Sequence, residues 1–358
     1  MSAANATVLV VGVGDLGSRI LDALARCSVV ERLVAGGRDA ERVGAQAAQA
    51  ALIAQLTGGP RRVEAVRIDL HDLDATARTL AGLAPDVIVT AATEYSWWRP
   101  ARATLPYAAW LPLQLPLVRM LMQARESGAP GARVVSLPFP DATGPILAAE
   151  GLAPTVGAGN VAEVAAKLGL LAGDGADVRL VMHHAAERLA LSAFGSVAGG
   201  GAEPGEPPWA ARVSVAGAPL AADRVGELFH ARYQLPDGRA THALTAASTV
   251  AVVAGLLSDV PIRAHAPAPG GLPGGYPVRL SRAGVELDLP EGWTRDEAIA
   301  VNAEAGRWDG IAQITPDGTV HLTDAAARAL SMAIGDDVRA IAPGDHDALA
   351  AAMRERAI

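Results

Sequence analysis

The residues with the strongest claim to chemistry stand close to the amino end. Gly12, Gly14 and Gly17 form a G-x-G-x-x-G turn inside VLVVGVGDLGSRILDAL (8–24), between a run of aliphatic residues and an amphipathic stretch. Such a turn suits a pyrophosphate. Its first glycine bends the chain sharply, its second lets the backbone approach the anion, and its third lets the following helix pack against the strand. The free N–H groups at the helix start, in and beside Asp15 and Leu16, then face the phosphates. In a chain with 38 glycines the bare motif carries little; its setting between strand and helix is what predicts a dinucleotide site.

The choice of dinucleotide depends on the end of the next strand, where an acidic residue would bind the ribose 2′-hydroxyl of NAD. The text there is LVAGGRDAE (33–41). Gly36 and Gly37 take the place of the acid, and the guanidinium of Arg38 can pair with a 2′-phosphate in a bidentate fork. This predicts NADP(H). Asp39 as a displaced ribose ligand is the alternative, and it would restore NAD.

The glycine turn, the GGRD element (36–39), RIDLHD (67–72) and PDVIVTAATEY (85–95) together resemble the saccharopine dehydrogenase-like reductases over about the first 140 residues. The resemblance implies hydride transfer to an amino-acid-derived imine or a related carbonyl. It also places Asp69 beside the adenine, and Ala91 and Ala92 beside the nicotinamide ribose.

Hydride transfer needs a proton donor, a substrate anchor and exclusion of water from the protein. In TEYSWWRP (93–100), Glu94 or Tyr95 could donate or relay a proton, Trp97 and Trp98 could wall off the ring, and Arg99 could clamp a carboxylate. The competing reading packs the tryptophans between domains. In RLVMHHAAER (179–188) a strand ends in His183 and His184; alternation lets only one of them face a cleft, and a histidine near neutral pKa suits proton donation. Asn160, after Gly157 and Gly159, reads as a helix cap whose neighbouring amides could hold a substrate carboxylate. Lys167, the one lysine in the chain, reads as solvated. HAPAPGGLPGGYPVRLS (265–281) reads as a long loop or lid with His265 and Tyr276 as possible contacts. The remaining histidines show no ligand spacing, so no metal is expected.

The elements that must position these groups follow from the alternation of short β-branched runs with alanine-rich stretches, which demands crossovers and a parallel sheet covered on both faces. Strands are predicted at 8–11, 33–35, 63–68, 86–90 and 133–137, with helices at 16–26, 40–55, 73–83 and 105–126. Asp39 and Asp72 should cap the second and third helices, and prolines should interrupt the fourth. A Gly/Pro-punctuated stretch (138–160) leads into a helix at 161–171 and a strand at 177–183. The fold class is therefore α/β: a doubly wound Rossmann sheet in 1–140, an α+β substrate domain in 141–310, and a hairpin with two helices in 311–358.

The composition excludes other classes. Thirty basic against 38 acidic residues give no field for a nucleic acid, and one cysteine excludes an internal disulfide. The longest apolar window, 103–118, is too short and too proline-broken to span a bilayer. The amino end lacks a basic leader. A cytoplasmic, homodimeric enzyme is expected, one that reduces a C=N or C=O bond of a small, carboxylated or amino-acid-derived metabolite with NADPH. The readings set against it are an NADPH-sensing binding protein without turnover and a lyase or synthase that recycles the cofactor.

Overall fold

The computed structural model describes residues 6–96, 105–191, 203–236 and 238–356. Chain order begins with β1 (Thr7–Val11), α1 (Asp15–Leu24), β2 (Arg32–Gly37), α2 (Ala40–Thr57), β3 (Arg62–Arg67), α3 (Leu73–Leu83) and β4 (Val87–Thr90). A 3-10 turn at Tyr107–Trp110 precedes α4 (Leu111–Gly128), and β5 (Arg133–Ser136), α5 (Pro140–Ala149), β6 (Val156–Gly157) and α6 (Asn160–Ala172) follow. All six strands are parallel, in the order β3-β2-β1-β4-β5-β6. That order reverses between β1 and β4, and ligands of open α/β sheets bind at such a switch point.

Both faces of the sheet are buried at β1 and β4, while the edge strand β3 stays partly exposed, and strand alternation divides β1 between the two faces. Val8 and Val10 pack with Ile20, Leu21 and Leu24 of α1, while Leu9 and Val11 pack with Leu113 and Leu121 of α4. The caps form as the sequence predicts: the Asp39 side chain accepts from Arg42 N and that of Asp72 from Ala75 N. The expected proline interruption falls between the 3-10 turn and α4.

The second part contains β7 (Ala176–Met182), α7 (Glu187–Ala190), β8 (Trp209–Val215), β9 (Ala218–Pro219), α8 (Ala222–His230) and α9 (His242–Leu256). It continues with β10 (Ile262–Pro267), β11 (Gly275–Ser281), β12 (Gly284–Leu287) and α10 (Arg295–Ala305). Its sheet runs β10-β11-β7-β8-β9, antiparallel, with β12 on β11. Val252, Val253 and Leu256 of α9 share one core with α1 and with Tyr276, Val278 and Leu280 of β11, so α9 is the strut between the two sheets. The chain ends in β13 (Ile311–Ile314), β14 (Val320–Leu322), α11 (Asp324–Ile334), β15 (Ala340–Ile341) and α12 (His346–Glu355). These pack Val320, Leu330 and Met353 into the same core as α4, on the β1 face opposite α1.

Two glycine- and proline-rich stretches differ from expectation. Residues 138–160 hold α5 and the edge strand β6; Pro140 stands at the first helical position, where an amide hydrogen has no intrahelical partner. Residues 265–267 and 275–281 belong to the paired strands β10 and β11, and only 268–274 connect them, through a 3-10 turn at Pro269–Gly271. A Cβ on Gly275 would stand 2.5 Å from Val161 Cβ and 3.0 Å from the Met182 carbonyl oxygen, so this glycine serves close packing rather than loop freedom.

The tightest approach is at the first turn. A Cβ on Gly17 would lie 2.0 Å from the Gly12 carbonyl oxygen, whereas one on Gly14 would meet nothing within 4 Å. Gly17→Ala should therefore lose about 1–3 kcal/mol of stability through overpacking, and Gly14→Ala should stay within about 0.5 kcal/mol of the parent. Urea denaturation midpoints of the two variants check this; similar losses would contradict it.

Candidate active site

The carboxyl ends of the parallel strands carry the first half of the site. Gly12 has φ +88°, and its missing side chain makes room for the Ala92 amide, which a Cβ would approach to 2.6 Å. Ala91 N donates to Val11 O at 2.9 Å, locking the β4 loop to the turn. Gly14 is the extended N-cap of α1 and faces open space, leaving the amides at the helix start accessible to an anion. Asp15 and Leu16 open the helix, and Asp15 is the charged member. Its Oδ2 lies 2.7 Å from His242 Nδ1 and 3.5 Å from Arg19, and its Oδ1 lies 3.6 Å from Arg239. Burial opposes its ionisation, but the His242 hydrogen bond and the Arg19 and Arg239 charges hold it below the usual carboxylate range.

At the end of β2, a Cβ on Gly37 would stand 3.0 Å from Val43 Cγ2, and Arg38 is exposed. Asp39 is engaged as the cap of α2. Asp69, just past β3, accepts from His71 N at 3.3 Å and pairs with Arg67 at 3.6 Å.

The second half is a polar cluster around Asp309, whose side chain is only 4% exposed. Its Oδ2 meets His184 Nδ1 at 2.8 Å and His183 Nδ1 at 3.3 Å. The two histidines follow β7 directly, and Asp309 ends a 3-10 turn that packs on the same segment. His183 is 2% exposed and His184 32%, so His184 is the one a solute can reach. The backbone N–H of His184 donates to Asp141 Oδ1 at 3.2 Å, and Asn160 Nδ2 donates to Asp141 Oδ2 at 2.7 Å, joining β7, α5 and α6. Tyr107 stacks between Phe139, at 3.9 Å, and the His184 ring, at 4.4 Å.

Burial disfavours charge on His184, but the Asp309 charge and hydrogen bond, reinforced by Glu187 and Asp141, raise it to about 9. Burial likewise works against Asp309, yet the histidines hold it well below the carboxylate range. Nearby, Glu163 accepts from Thr245 Oγ1 at 2.8 Å, and Glu187 Oε2 lies 3.9 Å from His184 Nε2. Burial raises Glu163 to about 7, and burial with the Glu163 charge raises Glu187 to about 8. Two neighbouring buried carboxyls cannot both ionise cheaply, so the pair holds a proton near neutrality. The Tyr107 phenol is pushed up by burial and the surrounding carboxylates and stays protonated.

The other sequence candidates take distinct places. Glu94 pairs with His71 at 3.5 Å and with Arg354 of α12 at 3.3 Å. Tyr95 stacks on Trp110, and its carbonyl accepts from Gln114. Trp97, Trp98 and Arg99 lie outside the described residues. Asn160 is the first residue of α6, the cap being Gly159, and it spends its amide on Asp141. Tyr276 is fully buried, its hydroxyl donating to Pro273 O at 2.7 Å. His265 is spent within the sheet, its Nε2 accepting from Leu180 N at 3.2 Å. Lys167 is not solvated: its Nζ donates to Ala190 O and Phe229 O, both at 2.7 Å, and burial lowers it to about 8.

Sequence reasoning missed Asp141, Glu163 and Tyr107, and it gave no role to His242 and little weight to the DGI stretch (309–311) that holds Asp309. Asp309 lies 125 residues from His184, and no local pattern joins them. Glu163 shares its helix face with Asn160 and Lys167, all three buried, a polar stripe that the sequence alone reads as solvated. Among the described residues no three His, Cys, Asp or Glu side chains are placed to hold a metal ion. No helix among them is long and apolar enough to cross a membrane.

No protein-family model and no curated protein sequence matches the chain. Solved structures do. A lactate dehydrogenase from Cryptosporidium parvum, complexed with lactic acid and nicotinamide adenine dinucleotide, matches with a TM-score of 0.56 at 13% identity, over 84% of this chain and 95% of that one. The malate dehydrogenase of Salinibacter ruber matches with 0.54 at 14% identity, over 84% and 94%. The lactate dehydrogenase of Eimeria maxima, with NADH and oxamate, matches with 0.57 at 10% identity, over 85% and 94%. These matches overturn the saccharopine dehydrogenase-like resemblance, which rested on the first 140 residues; the shared fold takes in both sheets. The chain has the two-part fold of the lactate and malate dehydrogenases.

Proposed function

We propose that the protein is a nicotinamide-dependent dehydrogenase that interconverts a hydroxyl and a carbonyl group on a small hydroxy or keto acid. The observation that carries this reading is His184: reachable, bonded to a buried carboxylate, protonated at neutral pH, and tied through Asp141 to the carboxyl end of the sheet that bears the glycine turn. Neighbours of the same fold bind lactic acid and oxamate, which favours C=O over C=N chemistry.

The bound nicotinamide would supply or accept the hydride; the chain supplies the rest. Gly12, Gly14 and Gly17 with the α1 amides would hold the diphosphate, a fit supported by the closed approach at Gly12 and the open space at Gly14. Gly36, Gly37 and Arg38 favour a 2′-phosphate, so we assign NADP(H) here, although the neighbours carry NAD or NADH. In reduction, His184 keeps its Nδ1 proton in the bond to Asp309 and gives up the Nε2 proton to the forming alkoxide; in oxidation it takes that proton back. Asp309 stays anionic throughout and fixes the ring. Tyr107 fixes the plane of the same ring by stacking. Arg99, Trp97 and Trp98 follow β4 and retain their proposed roles as carboxylate clamp and walls.

Because the working form in reduction is the imidazolium, kcat/KM with keto acids should fall above about pH 9, as His184 loses its proton. His184→Asn should lower kcat by about 10²–10⁴-fold. Asp309→Asn removes the charge that raises His184 and should move the descending limb toward about pH 6.5; an unmoved limb would remove His184 from this role. Arg38→Ala should weaken NADPH about tenfold in calorimetry, roughly 1.4 kcal/mol, and leave NADH unchanged. NADPH binding with no turnover across a keto-acid panel would replace the enzyme reading with a nucleotide sensor.

The carboxyl pair makes a separate prediction. Glu187 is raised in the folded state, so its contribution to stability is complete below its unfolded pKa of 4.5 and is lost as pH rises through about 8. Glu187→Gln escapes that loss. Its stability relative to the parent should grow between pH 4.5 and pH 8 by about 1–3 kcal/mol, read by chemical denaturation at the two pH values.

A further inference from the structure

The outer face of the second sheet carries a cluster that the catalytic reading does not use. Asp177, Arg179, Arg212, Arg263 and Arg279 stand on four adjacent strands around a cleft of about 280 Å³, floored by Asp288 and rimmed by Glu291. Strand register sets Arg179 directly opposite Arg212, and Arg263 directly opposite Arg279. Like charges in directly opposed positions destabilise a sheet. Here two such pairs sit side by side.

The anions present only partly offset them. Asp288, 10% exposed, meets Arg279 at 2.9 Å, Arg263 at 3.2 Å and Arg179 at 3.3 Å. Asp177 pairs with Arg179 and, at 3.7 Å, with Arg263. Among the described residues Arg212 has no carboxylate partner; it donates to the Glu291 carbonyl at 2.9 Å. Among the side chains that line the cleft, four guanidiniums meet three carboxylates, Glu291 included; Glu286 stands opposite Arg279 on β12 but is not part of the lining. Arg279 and Arg263 remain 46% and 56% exposed, while Arg179, at 11%, is held rigidly below them. Planar forks gathered at the mouth of a small cleft match adjacent anionic groups with paired N–H donors.

We infer that this cleft binds a compact anion carrying two or more adjacent negative groups, either a diphosphate or a polycarboxylate. The site is separate from the glycine turn and from His184, and it does not depend on the proposed reaction. Asp288 acts in it as an internal anion that gathers three of the arginines and competes with the ligand for them.

Calorimetric titration of the full-length protein with inorganic pyrophosphate, and separately with citrate, tests the inference and distinguishes phosphate from carboxylate chemistry. At least one probe should bind saturably. Arg212→Gln and Arg279→Gln, both at exposed positions, should each raise its Kd at least tenfold while leaving the NADPH affinity unchanged. Asp288→Asn should lower that Kd. No saturable heat with either probe would overturn the site. So would an affinity equal to the parent's in both arginine variants, since the anion would then sit elsewhere, at the glycine turn foremost.

Discussion

Asp309 is the constraint on which the rest of the site depends. An isolated carboxylate cannot be buried at tolerable cost, so it must either neutralise or find partners. Here it finds two histidines, and the exchange sets the chemistry: Asp309 remains charged only because His184 is charged, and His184 is a strong base only because Asp309 is dry. The same pairing holds the chain together. It ties the end of β7 to the turn before β13, and the His184 amide extends the connection through Asp141 to Asn160 and the start of α6. Removing Asp309 would leave the buried His183 without its carboxylate, and removing His184 would leave the buried Asp309 with His183 alone.

α9 makes the two halves of the site a single object. Its first residue, His242, reaches Asp15 in the glycine turn, and one turn later Thr245 donates to Glu163 in the acidic cluster. A helix packed between two sheets needs apolar residues around much of its circumference, and α9 has them in Ala246, Val252, Val253 and Leu256. Its polar residues are therefore confined to the end that faces the site. A displacement of α9 would move the hydrogen-bond partner of Asp15 and the hydrogen-bond donor of Glu163 together.

What could be read from the sequence divides along the distance over which each feature is encoded. β1 and β4 were legible because burial on both faces writes a continuous aliphatic run, and α3 was legible at both ends because Asp72 caps it and proline and aspartate follow it. His183 and His184 stood out as a pair, but their partner Asp309 comes from another segment, and only the folded chain selects His184 as the reachable member. Glycine and proline misled where they serve close packing. Gly275 lies against Val161, so a residue type that usually marks a loop here marks the densest contact between β11 and α6. Lys167 misled for the complementary reason: an alanine-rich helix offers no sign that its single cation points at two carbonyls.

The surplus of carboxyls around His184 then explains the protonation pattern. Were Glu163 and Glu187 both ionised, they and Asp309 would place three negative charges about the imidazolium, in a region of low dielectric. Retaining a proton on the pair relieves that charge without moving a side chain. It also leaves Glu187, whose Oε2 is 3.9 Å from His184 Nε2, as a carboxyl beside the ring nitrogen that Asp309 does not hold. His184 is thus flanked on one ring nitrogen by a fixed anion and on the other by a group whose charge changes near neutrality. That asymmetry, strong orientation at Nδ1 and adjustable charge at Nε2, is what a reversible proton donor requires.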